Sequence, residues 1–463
     1  MLSCKSLRLV GCVGVLALGA ACAHPQVPTL PGSERETNRP RTVIVAVDHL
    51  GDLYPNDPHL DEDLLVRRHT ASIWNYYRFR GSRLQSRNRA TAVRWASVAA
   101  RYGVAVDPHS TPIYAIDTRA GEWAAVQDRV FSRTRDEILR VTGGGRLPLV
   151  VMVHGFNTGD PGPGYDSLRS VIIEQVFAGA RSDSVAFLEL HWDGSSGPSL
   201  RVLDAWWKGQ GNAFPVGLAL RRVLNTLPET MPVRIVTHSL GGTVTSVALW
   251  NVDRTITIDR MEAITACSDV RRGPRTDQVS LSRFSVADEW YCLYRDRQQD
   301  TALYRTPRFR DLRVGMIVPA MPVETFMDDS AQTPMNNPGV VQRIVVGINP
   351  LDYAVTRGAW KVGFGCRDRA GLINVGGTCA AVDSGAIDRA LLSRCRTTDR
   401  TVAHLVHFTD WPTTPKVGGR QNHALTVYAR RPAMPKFLSL VFDPSLVPVP
   451  VSGCVPYRGN VVD

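Results

Sequence analysis

The stretch Val233-Arg234-Ile235-Val236-Thr237-His238-Ser239-Leu240-Gly241-Gly242 decides the fold. Val233 to Thr237 is β-branched apart from Arg234 and reads as a strand, whereas Gly242 to Trp250 has helical composition. A strand, a sharp turn and a helix place Ser239 where its side chain projects above a sheet edge. Gly241 and Gly242 give strand and helix room to approach, and the helix N-terminus behind Ser239 favours developing negative charge. A serine hydroxyl in that place becomes a nucleophile when a histidine reaches it. The pattern departs from G-x-S-x-G at one position, where Thr237 replaces the first glycine.

Upstream, Leu147 to Val153 is an apolar run fit for a buried parallel strand, and it ends at His154-Gly155-Phe156-Asn157-Thr158-Gly159. Acyl transfer needs two backbone N–H groups aimed at the oxygen that becomes charged. Leu240 N–H, next to the nucleophile, is one candidate. Phe156 N–H, freed by the turn at Gly155, is the other. A phosphate-binding loop is excluded because no Lys-Ser/Thr pair follows these glycines.

The rhythm continues on both sides. Expected strands are Thr42 to Val47, Thr111 to Ile116, Ser184 to Leu190, Met261 to Ala266 and Glu289 to Tyr294. Expected helices are Glu122 to Val141, Asp166 to Phe177 and Trp206 to Leu227. Such alternation predicts an α/β protein with a mostly parallel sheet and helices on both faces. Residues 304–400 break the pattern, being rich in Gly, Arg and Pro with one clear helix at Ser384 to Leu392, and read as an insertion or cap. Thr401 to Phe408 returns to strand composition. The chain from 42 to 463 thus reads as one domain with an N-terminal extension over 42–145 and the cysteine-bearing insertion over 304–400.

Composition agrees with a large buried core: 463 residues, 44% hydrophobic and 21% charged, with 10 Trp. The net charge is +11, but its arginines are scattered. Arg305, Arg308, Arg310 and Arg313 come nearest to a cluster and read as a solvated basic surface, and no nucleic-acid recognition module is visible.

Lys5 and Arg8 precede an apolar or small-residue run from Leu9 to Ala23, the pattern of a secretory signal over residues 1–23. Two processing sites compete. Ala21-Cys22-Ala23 suits a cut before His24, and Gly19-Ala20-Ala21-Cys22 resembles a bacterial lipoprotein box. A lipidated Cys22 would attach a soluble fold to a membrane through residues 24–41 as a tether, placing the protein in the bacterial cell envelope. Export makes Cys267, Cys292, Cys366, Cys379, Cys395 and Cys454 candidates for disulfide bonds, and no C-x-x-C pair suggests zinc.

With its H-G-F-N and H-S-L-G motifs, His154 to Asn157 and His238 to Gly241, the chain resembles the α/β-hydrolase superfamily. It is most similar to a bacterial lipase/esterase-type group. Two further segments are similar to that group: Phe187 to His191 running into Trp192-Asp193, and Tyr294-Arg295-Asp296 to Asp300-Thr301-Ala302-Leu303. The resemblance covers about residues 145–305 and, loosely, 401–430. It implies an α/β-hydrolase fold and the chain order nucleophile, acid, histidine.

Under that order Asp300 is the expected acid, with Asp296 and Asp269 as alternatives, each following an expected strand. The expected base is His423, in Gly419-Arg420-Gln421-Asn422-His423-Ala424-Leu425, with His407 as the alternative at the end of the last strand. His404 and His407, three apart in a strand, face opposite sides and cannot share a metal. His238 and His154 read as structural neighbours of the nucleophile and the oxyanion loop. These roles imply hydrolysis of a small-molecule or lipid acyl ester through an acyl-enzyme, without metal or organic cofactor. Amide hydrolysis or acyl transfer uses the same atoms, and a non-catalytic envelope protein on a hydrolase scaffold is the remaining reading.

Overall fold

Two apolar runs, Leu149–Val153 (β2) and Val233–His238 (β4), lie side by side in parallel, with Val153 opposite Thr237. Every residue of both is buried. Leu149, Val151, Val153, Val233 and Ile235 point to one face, and Val150, Met152 and Val236 to the other. Such two-sided burial is what a continuous apolar strand demands, at roughly 1.5–3 kcal/mol per large side chain.

The computed structural model describes residues 41–48, 51–55, 93, 95–106, 116–156, 162–177, 184–192, 202–250, 303–320, 341–349, 352, 402–408, 416–417, 420–421 and 423–443. Around the central pair stand Thr42–Val47 (β1), Ala186–Trp192 (β3), Leu312–Ile317 (β5), Arg343–Ile348 (β6) and Val402–His407 (β7). All pairings are parallel, in the order β1-β3-β2-β4-β5-β6-β7. From β2 the chain turns back toward β3, whereas from β4 it runs on to β5. The two connections leave in opposite directions, so the carboxyl ends of β2 and β4 form a topological switch point, the position where open α/β sheets bind ligands.

Helices Ile116–Val141 (α1), Val202–Asn225 (α3) and Gly241–Leu249 (α4) cover one face. Gly162–Val176 (α2), Leu425–Tyr428 (α5) and Met434–Phe442 (α6) cover the other. Lys416–Val417 (β8) and Arg420–Gln421 (β9) form a separate two-stranded antiparallel sheet. Every residue of α4 is buried, and its C-terminal carbonyls are capped from α3. There the buried Arg221 guanidinium donates to Val247, Ala248, Trp250 and Tyr304 carbonyls. A cation at a helix C-terminus is favoured by the dipole as well as by these hydrogen bonds.

Residues 304–400 are not simply an insertion beside the sheet, because β5 and β6 lie within them. Their arginines concealed the strands. Arg234, Arg313 and Arg343 are register partners on β4, β5 and β6, and all three are buried. Asp311 accepts from Arg234 and Arg313, while the Leu440 and Asp443 carbonyls at the end of α6 accept from Arg313 and Arg343. Arg305, Arg308 and Arg310 are exposed, so only Arg313 departs from the expected basic surface. Glycines in both strands also diluted the pattern, yet each is required: a Cβ on Gly315 would lie 2.8 Å from Phe437, and one on Gly347 2.2 Å from Phe408.

Of the expected strand Thr111 to Ile116, only Ile116 is described, and it opens α1. The expected strands Met261 to Ala266 and Glu289 to Tyr294, the helix Ser384 to Leu392, the nine cysteines, the signal and nearly all of the tether lie outside the described residues. Among the described residues no helix is long and apolar enough to cross a membrane.

Candidate active site

Ser239 occupies the turn between β4 and α4 with φ 53°, in the left-handed region that a residue bearing a Cβ avoids. The turn is held by three backbone hydrogen bonds, two to the end of β5 and the residues just after it and one to α4. Ser239 N–H donates to Ile317 O (3.0 Å), while its carbonyl accepts from Ala320 N–H and from Gly242 N–H (both 2.9 Å). The Thr243 hydroxyl adds a bond to Ala320 O at 2.7 Å. Backbone strain of this kind persists only where the surroundings over-determine it.

Thr237, the departure from the glycine pattern, is accommodated by Gly241. A Cβ on Gly241 would lie 2.5 Å from Thr237 Oγ1 and 2.6 Å from Val153 O. The space that a first glycine would have freed is supplied from the other side of the turn. Leu240 follows with helical angles (φ −63°, ψ −17°), and among the described residues no carbonyl accepts from its N–H.

The turn after β2 packs directly on this serine. A Cβ on Gly155 would stand 2.5 Å from Ser239 Cβ, 3.0 Å from His238 O and 3.1 Å from Ser239 Oγ, so only glycine fits. His154, buried just before it, fixes the turn. Its Nδ1 lies 2.8 Å from Gly155 O, and its Nε2 accepts from Trp192 N–H at 3.3 Å, an arrangement that places the ring proton on Nδ1. Trp192 Nε1–H donates to His154 O (3.0 Å), and the two rings stack with centroids 5.5 Å apart. The Tyr165 hydroxyl accepts from His154 N–H and donates to Leu190 O. Burial depresses the His154 pKa from 6.5 to about 3, so the ring is neutral. Phe156 comes next in this turn, partly buried against the core.

His423 enters from the far end of the chain, between β9 and α5, with a side chain 13% exposed. Its Nδ1 meets Asp352 Oδ2 at 2.7 Å, and the Asp352 side chain is fully buried. The His423 ring lies 4.6 Å from the ring of His238, the residue before Ser239. His238 is hydrogen-bonded to the His423 backbone, and burial followed by the charge of His423 holds its pKa well below the ordinary value. A neutral His238 therefore fills the space beside His423 without competing for its carboxylate. The Tyr428 hydroxyl also donates to Asp352 Oδ2, at 2.5 Å, and accepts from Asn349 Nδ2 at 2.8 Å.

The structure thus packs His423 against His238, the residue before the expected nucleophile Ser239, and packs the Gly155 turn that leads to Phe156 on Ser239 itself. The carboxylate on His423 belongs to Asp352, three residues beyond Asn349 at the end of β6, which the sequence reading did not select. Asp300, Asp296 and Asp269 lie outside the described residues. His407, the alternative base, ends β7 opposite Ile348. The missed signal is compact: the β-branched run Arg343 to Ile348, then Asn349-Pro350 as a turn marker, then an aspartate. It lay in the stretch set aside as an insertion.

The chain matches no protein-family model, no curated protein and no solved structure.

Proposed function

We propose that the protein is a serine hydrolase of the α/β-hydrolase type, which cleaves carboxylic esters through an acyl-enzyme. The observation that carries this reading is Ser239 in a left-handed turn, directly after His238, whose ring packs 4.6 Å from an imidazole whose Nδ1 is engaged by a buried carboxylate. The chain order Ser239, Asp352, His423 is that of the superfamily, and the two glycine-bearing turns meet where its oxyanion donors would be.

In this mechanism His423 Nε2 takes the Ser239 proton as the oxygen attacks the acyl carbonyl. Asp352 keeps the His423 ring proton on Nδ1 and stabilises the imidazolium that forms. The Phe156 and Leu240 N–H groups receive the developing oxyanion. His423 then protonates the leaving alcohol, and water repeats the attack on the acyl-serine. The sequence-level signal supports an exported enzyme in the cell envelope, attached through lipid on Cys22, and incorporation of labelled fatty acid that is lost in Cys22→Ala would test this.

A fluorophosphonate probe and a panel of esters with graded acyl lengths test the reaction. The expected result is labelling and turnover by the wild type, both lost in Ser239→Ala and His423→Ala. Folded wild type that neither labels nor turns over any ester would overturn it and leave a non-catalytic α/β protein. Turnover of amides in preference to esters would move the assignment to an amidase.

A further inference from the structure

The carboxylate on His423 has a second donor on the same oxygen. Asp352 Oδ2 receives His423 Nδ1 at 2.7 Å and the Tyr428 hydroxyl at 2.5 Å. Tyr428 has no freedom to turn its proton elsewhere. Its oxygen already accepts from Asn349 Nδ2, so the phenolic hydrogen is left for Asp352. Asn349 is tied in turn, because its carbonyl accepts from Asp352 N–H at 3.1 Å. All three side chains are fully buried, which excludes water as a substitute donor.

We propose that Tyr428 is a positioning residue of the hydrolase: its hydroxyl, aimed by Asn349, fixes the Asp352 carboxylate and draws off part of the charge that would otherwise fall on His423. This inference rests on the serine hydrolase reading. The fewer donors a buried carboxylate has, the more of its charge falls on each, and the more tightly it holds an imidazolium among them. A second donor on the same oxygen shares that charge. The phenol is suited to this because burial, with the charge of Asp352 second, raises its pKa well above the ordinary value, so it stays a donor. Arg431, whose guanidinium lies 4.4 Å over the Tyr428 ring, pulls that pKa the other way and so strengthens the hydroxyl as a donor.

Among the described residues, the other titratable groups facing the pair are His238 on β4 and, behind it, His154 just after β2. Both are pushed down by burial and stay neutral near neutral pH.

The test uses the full chain with 15N-labelled histidine, the His423 resonance being assigned by its loss in His423→Gln. In Tyr428→Phe the His423 titration should move up by about half a pH unit or more. The acid limb of fluorophosphonate labelling at Ser239 should move with it. On the best ester, kcat should fall about tenfold while KM stays within about twofold. Asn349→Ala, which leaves the phenol in place but unaimed, should shift both profiles in the same direction by less. A folded Tyr428→Phe, or Asn349→Ala if the former does not fold, that titrates and labels like the wild type would overturn the proposal. Failure of the wild type to label would instead remove the hydrolase reading, while the histidine titration still decides whether Tyr428 governs His423.

Discussion

Gly155 and Ser239 are packed so closely that a methyl group on the first would stand 2.5 Å from the Cβ of the second. Gly155→Ala must push the β2 turn away from the nucleophile and carry the Phe156 N–H with it. Ester turnover should fall by about a hundredfold, the cost of displacing a reacting group by roughly an ångström. The unfolding free energy should drop by about 1–3 kcal/mol from overpacking. Parallel rate and urea-unfolding measurements check both, and wild-type values in either would contradict the packing.

Asp352 and Asp300 give opposite expectations. Asp352→Asn would leave His423 facing an amide and favour the wrong tautomer, a change that costs about 10⁴ in kcat in serine proteases. Asp300→Asn, Asp296→Asn and Asp269→Asn should each retain most of the activity. A large loss at 300 with activity kept at 352 would return the acid to the position expected from the sequence.

The left-handed backbone at Ser239 predicts a trade between stability and function. Ser239→Ala and Ser239→Gly both remove the hydroxyl, but only glycine takes φ 53° without steric cost. Ser239→Gly should therefore exceed Ser239→Ala in unfolding free energy by about 1 kcal/mol, with neither variant active. Equal stabilities would mean that the turn holds no strain.

Buried neutral imidazoles make the fold acid-sensitive. Burial, more than any neighbour, lowers His154 to about 3 and His404 to about 4, and puts His238 well below 6.5. As pH falls through 6.5 the unfolded chain takes up these protons and the folded chain does not. Stability therefore declines from about pH 6.5 down to about 4 for His404 and about 3 for His154, each group contributing up to about 1.4 kcal/mol per pH unit. His404, packed near Arg343 and Lys436 on β7, lies outside the proposed machinery. His404→Gln should flatten the pH dependence of urea unfolding between pH 6 and 4 and leave turnover unchanged. An unaltered slope would count against its burial as a neutral ring.

The strands and helices flanking Ser239 were legible because each is a long run of one periodicity, and β2, β4, α3 and α4 fall close to their expected limits. The turn chemistry was legible too, since a glycine after His154 and a pair after Leu240 have few other uses. β5 and β6 were not. Their arginines look like solvent-facing charge until the register stacks Arg234, Arg313 and Arg343 between Asp311 and the carbonyls that end α6, and that stacking is tertiary. Missing β6 meant missing Asp352, because an acid is found by knowing which strand it follows. Tyr428 and Asn349 carry no local signal, as their function arises only when segments about 80 residues apart meet on one carboxylate.

Both the amide hydrogen and the carbonyl oxygen of Ser239 are bonded to the tail of β5, at Ile317 and Ala320. The reactive corner is thus carried by two neighbouring ribbons rather than by the one it belongs to. Alterations in Leu312 to Ala320, a stretch outside the proposed triad, will register as changes in reactivity, and directed evolution of this protein for speed or heat tolerance will find its levers there.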